Sequence, residues 1–175
     1  PLVASPLQIR EAIAQYYDRV EDRAMARQLG LDTDIADAQS PSEQEAQRLA
    51  LEMPVVSMVH TLIADAVTRR ASDIHLRPGE HATDVLYRID DELVPVRRLA
   101  RALNPAVVGR IKVIAGMNLA EHRRPQDGRT TFRIDATHTV DLRISLLPSV
   151  YGESIVVRLL DTSEGLWSID ELGLS

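Results

Sequence analysis

The spacing of apolar residues changes at about residue 71, and this change constrains the fold more than any other feature of the chain. Between Pro54 and Arg70, apolar residues recur at the spacing of one helix face. Asn104-Pro105 is typical of the start of a second helix. Elsewhere apolar and polar residues alternate, which predicts strands at 72–76, 85–89, 92–98, 129–135, 138–147 and 152–160. The pattern predicts an α/β (α+β) fold, with strands joined by tight turns and packed with helices.

Length and charge divide the chain into a main domain and an appendage. With 175 residues, 45% of them hydrophobic, it can form one domain of roughly 100–150 residues and a smaller N-terminal part. Residues 1–18 predict a short amphipathic helix, and the acidic stretch at 19–40 predicts a flexible tether. Pro41 begins a further predicted helix that ends near residue 53. The expected divisions are 1–18, 19–52, 53–161 and 162–175.

Composition excludes several classes of function. The formal net charge is −6 and there are one Trp, one Phe and four Tyr, so neither a basic surface nor a base-stacking surface for nucleic acid is expected. No cysteine is present, which removes disulfides and thiolate zinc sites. There is no signal peptide and no apolar run long enough to span a membrane. We expect a protein of the cytoplasm.

The sequence contains no arrangement typical of a hydrolase. It lacks a P-loop and a G-x-G-x-x-G motif, and its histidines do not pair with an evident nucleophile. Asp73 and His75 are spaced as in some metal or general-base pairs, but a lone pair favours a structural hydrogen bond, and we expect no metal site. The chain alone is therefore expected neither to hydrolyse ATP nor to bind it tightly.

Arg129, Arg143 and Arg158 lie on predicted strands that otherwise look buried. In the segment DLRIS the polar residues face away from the apolar ones, so Arg143 presents a donor fork suited to phosphate or carboxylate. The alternative is that the arginines form exposed ion pairs, each contributing at most about 1 kcal/mol. The nearby acids that would supply those pairs are Asp127, Asp141 and Glu153. The residues by themselves leave both interpretations open.

Five segments resemble one family of assembly motors. In chain order they are ASDIHLRP, YRIDDEL, GRIKVIAGMNLAEHRRPQDGR, VDLRISLLP and YGESIVVRLLD. Over about Met53 to Asp161 they are similar to the domain that precedes the ATPase core of type II secretion and type IV pilus assembly ATPases. The resemblance implies a PAS-like antiparallel sheet packed with helices. It also implies a linker from about 162 to a RecA-like motor in a hexameric ring, and a platform-docking module that ends in residues 1–18.

The resemblance also implies roles for particular arginines. Arg129, at the end of PQDGR, and Arg143, in DLRIS, match positions whose guanidinium groups reach the nucleotide phosphates when this domain closes on the motor. Arg124 and Arg110 are weaker candidates for the same contact. The chain departs from the family at Arg77, where Glu is usual, and at Asp91, where Gly often forms the turn. Neither change affects a proposed site residue.

The function implied by the resemblance is that of a regulatory and mechanical domain, which supplies arginines to ATP bound by its motor and so powers protein export. No cofactor is expected in this chain; ATP and Mg²⁺ belong to the longer ATPase. The implied partners are its own motor domain, neighbouring subunits and an inner-membrane platform protein that makes it peripheral to that membrane. The alternative from another class is a PAS-like sensor or partner-docking module that never contacts ATP. Secretion and pilus assembly are not distinguished.

Overall fold

The computed structural model describes residue 48 and residues 52–160. Its helices are α1 (Met53–Thr68) and α2 (Asn104–Ala115), and a short 3₁₀ turn, Arg101–Leu103, leads into α2. The strands are β1 (Asp73–Pro78), β2 (Ala82–Ile89), β3 (Glu92–Ala100), β4 (Gln126–Arg133), β5 (Thr139–Ser149) and β6 (Gly152–Leu160). The predicted module at 1–18, nearly all of the linker and helix predicted at 19–52, and the linker predicted from 162 lie outside the described residues.

The six strands form one sheet in the order β3-β2-β1-β6-β5-β4, and every neighbouring pair is antiparallel. The last strand in the sequence, β6, lies between β1 and β5, as its nearly continuous apolar run predicts. The predicted antiparallel sheet packed with helices is confirmed, and its strand order is compatible with the PAS-like arrangement.

Both helices pack on one face of the sheet. On β5, the residues Val140, Leu142, Ile144 and Leu146 are buried against this helical layer, while the residues between them point to the opposite face. The core is aliphatic apart from Tyr87, whose buried hydroxyl donates a hydrogen bond of 2.8 Å to the Leu62 carbonyl of α1. Within residues 52–160 no helix covers the opposite face, so strand residues that point there lie at the surface.

Two chain reversals follow the predicted signals. The β2–β3 turn is formed by Asp90 and Asp91, with φ of 49° and 65°, the left-handed pair that two-residue hairpins require. Helix α2 has Pro105 in its first turn and ends at Gly116, which is also left-handed, with φ of 64°.

The dipeptide Asp127-Gly128 predicts a tight turn. This prediction is wrong, because β4 already begins at Gln126. Gly128 instead allows β4 to pass close to the end of α2. A Cβ atom at this position would lie 2.8 Å from Ala115 Cβ and 2.8 Å from Met117 Cε, at the end of α2. Glycine therefore allows β4 to lie directly against the helix, which positions the next residue, Arg129.

Candidate anion-binding site

A single line of directly opposed residues crosses five strands on the face opposite the helices. Arg129 is opposite Arg143, Arg143 is opposite Arg158, Arg158 is opposite Asp73, and Asp73 is opposite Arg88. Directly opposed residues on neighbouring strands project to the same face. The five side chains therefore form one row, with four arginines and one aspartate, which we call the arginine row.

Asp73 neutralises one end of the arginine row. Its carboxylate lies 3.1 Å from Arg158 Nε and 3.4 Å from Arg88 Nε, and it accepts a hydrogen bond of 2.8 Å from the Ser72 hydroxyl. Burial by itself would raise the pKa of Asp73, but the hydrogen bonds from Ser72 and Arg158 and the charge of Arg158 outweigh it and lower the pKa. The buried carboxylate is thus ionised at neutral pH and shared by two guanidinium groups.

The other end of the row is not neutralised. Arg129 and Arg143 are both exposed, and across residues 52–160 neither side chain forms an ion pair or a hydrogen bond. Like charges placed directly opposite each other on neighbouring strands destabilise a sheet. The fold therefore gains nothing evident from this pair, while the two guanidinium groups remain open to an anion.

The alternative ion pairs of the three strand arginines with Asp127, Asp141 and Glu153 are not formed. Asp127 and Asp141 each lie two residues along the strand from an arginine and directly opposite a hydroxyl residue. They accept hydrogen bonds of 2.6 Å from Ser145 Oγ and 2.7 Å from Thr131 Oγ1. Strand register thus places arginine opposite arginine and acid opposite hydroxyl.

Glu153, the third acid of the predicted pairs, points to the helical face. Its carboxylate lies 2.7 Å from Lys112 Nζ and 2.8 Å from His122 Nδ1, and Lys112 is completely buried. Lys112 also donates a hydrogen bond of 2.7 Å to the Glu121 carbonyl. Sequence reasoning missed this cluster, although a lysine next to Ile111 on the buried stripe of α2 was a signal for it.

The buried cluster anchors the loop that leads from α2 into β4. Gln126 Nε2 donates to the carbonyls of Asn118 and Glu121 at 3.1 and 3.0 Å. The Glu121 carboxylate accepts the backbone N–H groups of Arg123 and Arg124, and the hydrogen bond from Arg123 is the main reason that the pKa of Glu121 is lowered. The chain therefore enters β4 along a fixed path.

The weaker candidates do not join the arginine row. Arg124 is exposed on the loop before β4. Arg110 lies on α2, in the layer on the other side of the sheet, where its Nε is buried and has no hydrogen-bond partner among the described residues. The sheet separates Arg110 from Arg129 and Arg143.

The predicted hydrogen bond between Asp73 and His75 is not formed. The two residues lie on the same strand, and the Asp73 carboxylate is occupied by Ser72, Arg88 and Arg158. Burial, followed by the charge of Arg77, lowers the pKa of His75, so its ring is neutral at pH 7. Among residues 52–160 no group of three His, Asp or Glu side chains is placed to hold a metal ion.

Comparison with known proteins identifies the family. The family described as type II/IV secretion system protein matches residues 48–175. The chain belongs to this family. It is 35% identical over 176 residues to the type IV pilus assembly ATPase PilB of Myxococcus xanthus, covering 98% of the chain and 31% of that protein. It is 42% identical over 146 residues to the type II secretion system protein E of Xanthomonas campestris, covering 83% of the chain and 26% of that protein.

The chain spans about a third, or less, of the length of these relatives. A third relative, the type II secretion system protein E of Pseudomonas aeruginosa, is 36% identical over 169 residues, which cover 94% of the chain and 34% of the relative. The helices within the described part are too short or too polar to cross a membrane.

Proposed function

We propose that this domain closes on the motor of a secretion or pilus assembly ATPase and places Arg129 and Arg143 against the phosphates of bound ATP. ATP hydrolysis by the motor would then be coupled to movement of this domain, which powers export of a protein or a pilin. Relatives of both kinds are similar to the chain, so the proposal covers both systems.

One observation supports this proposal above all others. Arg129 and Arg143 lie directly opposite each other on an exposed sheet face, and their side chains have no counter-ion within residues 52–160. The Arg98–Asp84 pair, whose side chains are 3.2 Å apart, shows that the sheet can pair an exposed arginine with an acid. What distinguishes Arg129 and Arg143 is that two unpaired guanidinium groups lie directly opposite each other, an arrangement suited to a phosphate group.

In this proposal the two arginines bind the phosphates and stabilise the negative charge that develops as the phosphoryl group is transferred. Arginine stays protonated at all physiological pH values, and its planar donor fork can contact two phosphate oxygens at once. Donors fixed in advance at a developing phosphoryl charge lower the barrier to its transfer. ATP and Mg²⁺ would be held mainly by the motor, and this domain would contribute the two guanidinium groups.

The cavity between the helices and the sheet within residues 52–160 does not favour the alternative function as a small-molecule sensor. Between the two helices and the sheet lies a cavity of about 20 Å³, lined by aliphatic side chains including Leu62, Ile111 and Ile144. Sites for small organic ligands usually measure roughly 300–1,000 Å³ and include a few polar groups. The cavity therefore favours packing between helices and sheet over ligand binding.

The proposal is tested in the full-length ATPase with Arg129→Ala and Arg143→Ala. Each change should lower ATP turnover by about 10- to 1000-fold, because a donor to the phosphoryl group is lost. Lysine at either position should restore only part of the activity, since it supplies a point charge in place of a planar fork.

Arg133→Ala is the matched control. Arg133 is an exposed arginine on the same strand and the same face as Arg129, but it lies opposite Thr139 and outside the arginine row. Its removal should change turnover by less than about 2-fold, as for an exposed residue without a partner. Normal turnover in both Arg129→Ala and Arg143→Ala would refute the proposal.

A further inference from the structure

We infer that Arg158 is a third anion-binding arginine, whose side chain is held away from the anion by its ion pair with Asp73. This inference rests on the proposed function, because it assumes that an anion binds at Arg129 and Arg143. It adds a third residue to the site and an orientation for the ligand: the phosphate chain would extend along the arginine row from Arg143 to Arg158.

The register of the sheet brings Arg158 within reach of such a ligand. Arg143 lies between Arg129 and Arg158, directly opposite each of them. Neighbouring strands are roughly 4.8 Å apart, so the three arginines cover about 10 Å of sheet. A phosphate chain that begins between Arg129 and Arg143 and runs along the row would direct its further phosphates toward the strand that carries Arg158.

Asp73 is the residue that restrains Arg158. The Arg158 side chain is 64% exposed, and its Nε is directed to Asp73 at 3.1 Å, on the side away from Arg143. Within residues 52–160 Asp73 is its only side-chain partner. Arg88, which shares the carboxylate, has a second anchor, because its Nη1 donates a hydrogen bond of 3.0 Å to the Asp91 carbonyl.

Removing the Asp73 charge should therefore free Arg158 more than Arg88. Asp73→Asn is a suitable change, because the amide keeps the size of the side chain and can still accept the hydrogen bond from Ser72. Arg158 would lose its ion pair and could turn toward Arg143, while Arg88 would keep its contact with the β2–β3 turn.

The experiment measures binding of inorganic tripolyphosphate to the 175-residue chain by calorimetry at low salt. Asp73→Asn should bind about 3- to 10-fold more tightly than the unmodified chain, the gain expected from one further exposed, charge-assisted hydrogen bond. Arg158→Ala alone should change affinity by less than about 2-fold, because Arg158 is already engaged. In the double variant, the gain from Asp73→Asn should disappear.

The double variant Asp73→Asn/Arg158→Ala distinguishes a contact of Arg158 with tripolyphosphate from a general effect of the lost negative charge on affinity. If Asp73→Asn strengthens binding equally with and without Arg158, then only the lost negative charge matters and the inference is wrong. Equal or weaker binding by a folded Asp73→Asn chain, or no binding at millimolar tripolyphosphate, would also overturn it. Asp84→Asn is the matched control, since it breaks the Asp84–Arg98 ion pair outside the row and should leave affinity unchanged.

A second measurement covers the case in which Asp73→Asn does not fold. In the unmodified chain, NMR signals of the arginine Nε–H groups report contact with tripolyphosphate. The Arg143 signal should respond first and the Arg158 signal only at higher concentration, whereas an Arg158 signal that never responds contradicts the inference. The outcome is independent of ATP turnover. Binding that behaves as described, together with normal turnover in both full-length Arg129→Ala and Arg143→Ala, would refute the proposed function and leave this inference standing.

Discussion

Ion pairing differs between the two faces of the sheet: the face packed against the helices, and the opposite face, which we call the open face. On the helical face, Lys112 is completely buried and lies 2.7 Å from the Glu153 carboxylate, which also lies 2.8 Å from His122. On the open face, Arg129 and Arg143 lie opposite each other and no acid among the described residues pairs with either of them. The buried lysine is paired with a carboxylate, whereas the two exposed arginines leave an excess of positive charge.

The comparison indicates which charges serve the fold. A buried lysine without a carboxylate would cost several kcal/mol, so its partner is part of the structure. An exposed arginine changes the stability of the fold little whether or not it forms an ion pair. Its partners can therefore be selected for function without a loss of stability. The proposed function explains the unpaired arginines by a ligand outside the domain, whereas packing inside the domain explains the buried pair.

The largest expected effect on stability is at the buried cluster. Glu153→Gln leaves the Lys112 ammonium buried without its carboxylate, and we expect the free energy of unfolding to fall by about 3–5 kcal/mol. Chemical denaturation of the isolated domain measures this loss. Asp127→Asn, which changes an exposed acid on the open face, is the control and should cost less than about 1 kcal/mol. Similar losses for the two variants would remove the distinction between the faces.

A smaller effect, dependent on pH, is expected at Asp73. Because folding lowers its pKa below the usual value of 3.8, the carboxylate stabilises the fold above pH 3.8, and this contribution disappears as the pH falls through the lower folded-state value. Asp73→Asn should therefore be less stable than the unmodified chain at pH 6, with the difference shrinking in strong acid. Thermal unfolding at several pH values measures it, and a difference independent of pH would show that Asp73 acts through packing alone.

The smallest effect is expected at the unpaired arginines. Arg143→Ala should change the free energy of unfolding by less than about 1 kcal/mol, because the side chain is exposed and faces another arginine. Arg158→Ala should cost about 1 kcal/mol, since it leaves the buried Asp73 with one guanidinium partner fewer. A greater loss at Arg143 than at Arg158 would mean that the unpaired arginine supports the fold.

Most of the fold could be predicted from the sequence because local signals agree with it. Alternation identified all six strands, and Asn104-Pro105 marked the start of α2. The Asp127-Gly128 turn was wrong because glycine has two common uses, a left-handed turn and a close approach, and only tertiary contacts distinguish them. Those contacts, with Ala115 and Met117, belong to a different element.

The site was only partly predictable, because its pairing depends on register. The alternation around Arg143 placed it on the polar face, but which residue lies opposite it depends on how β5 aligns with its neighbours. The Asp73–Arg158 pair joins strands 85 residues apart in the sequence, and no local pattern indicates it. The sequence also offered Glu153 as a partner for the exposed arginines, but the fold directs it to the helical face, where it contacts Lys112.

The most direct test of the central claim is a double-variant cycle in ATP turnover by the full-length protein. Two guanidinium groups that hold one anion act as a unit, so their losses are not independent. If Arg129→Ala and Arg143→Ala each lower turnover by about 10- to 1000-fold, the double variant should be little worse than the more affected single variant. Losses that multiply in full, or turnover that neither change affects, would contradict the claim that Arg129 and Arg143 bind the same phosphate group.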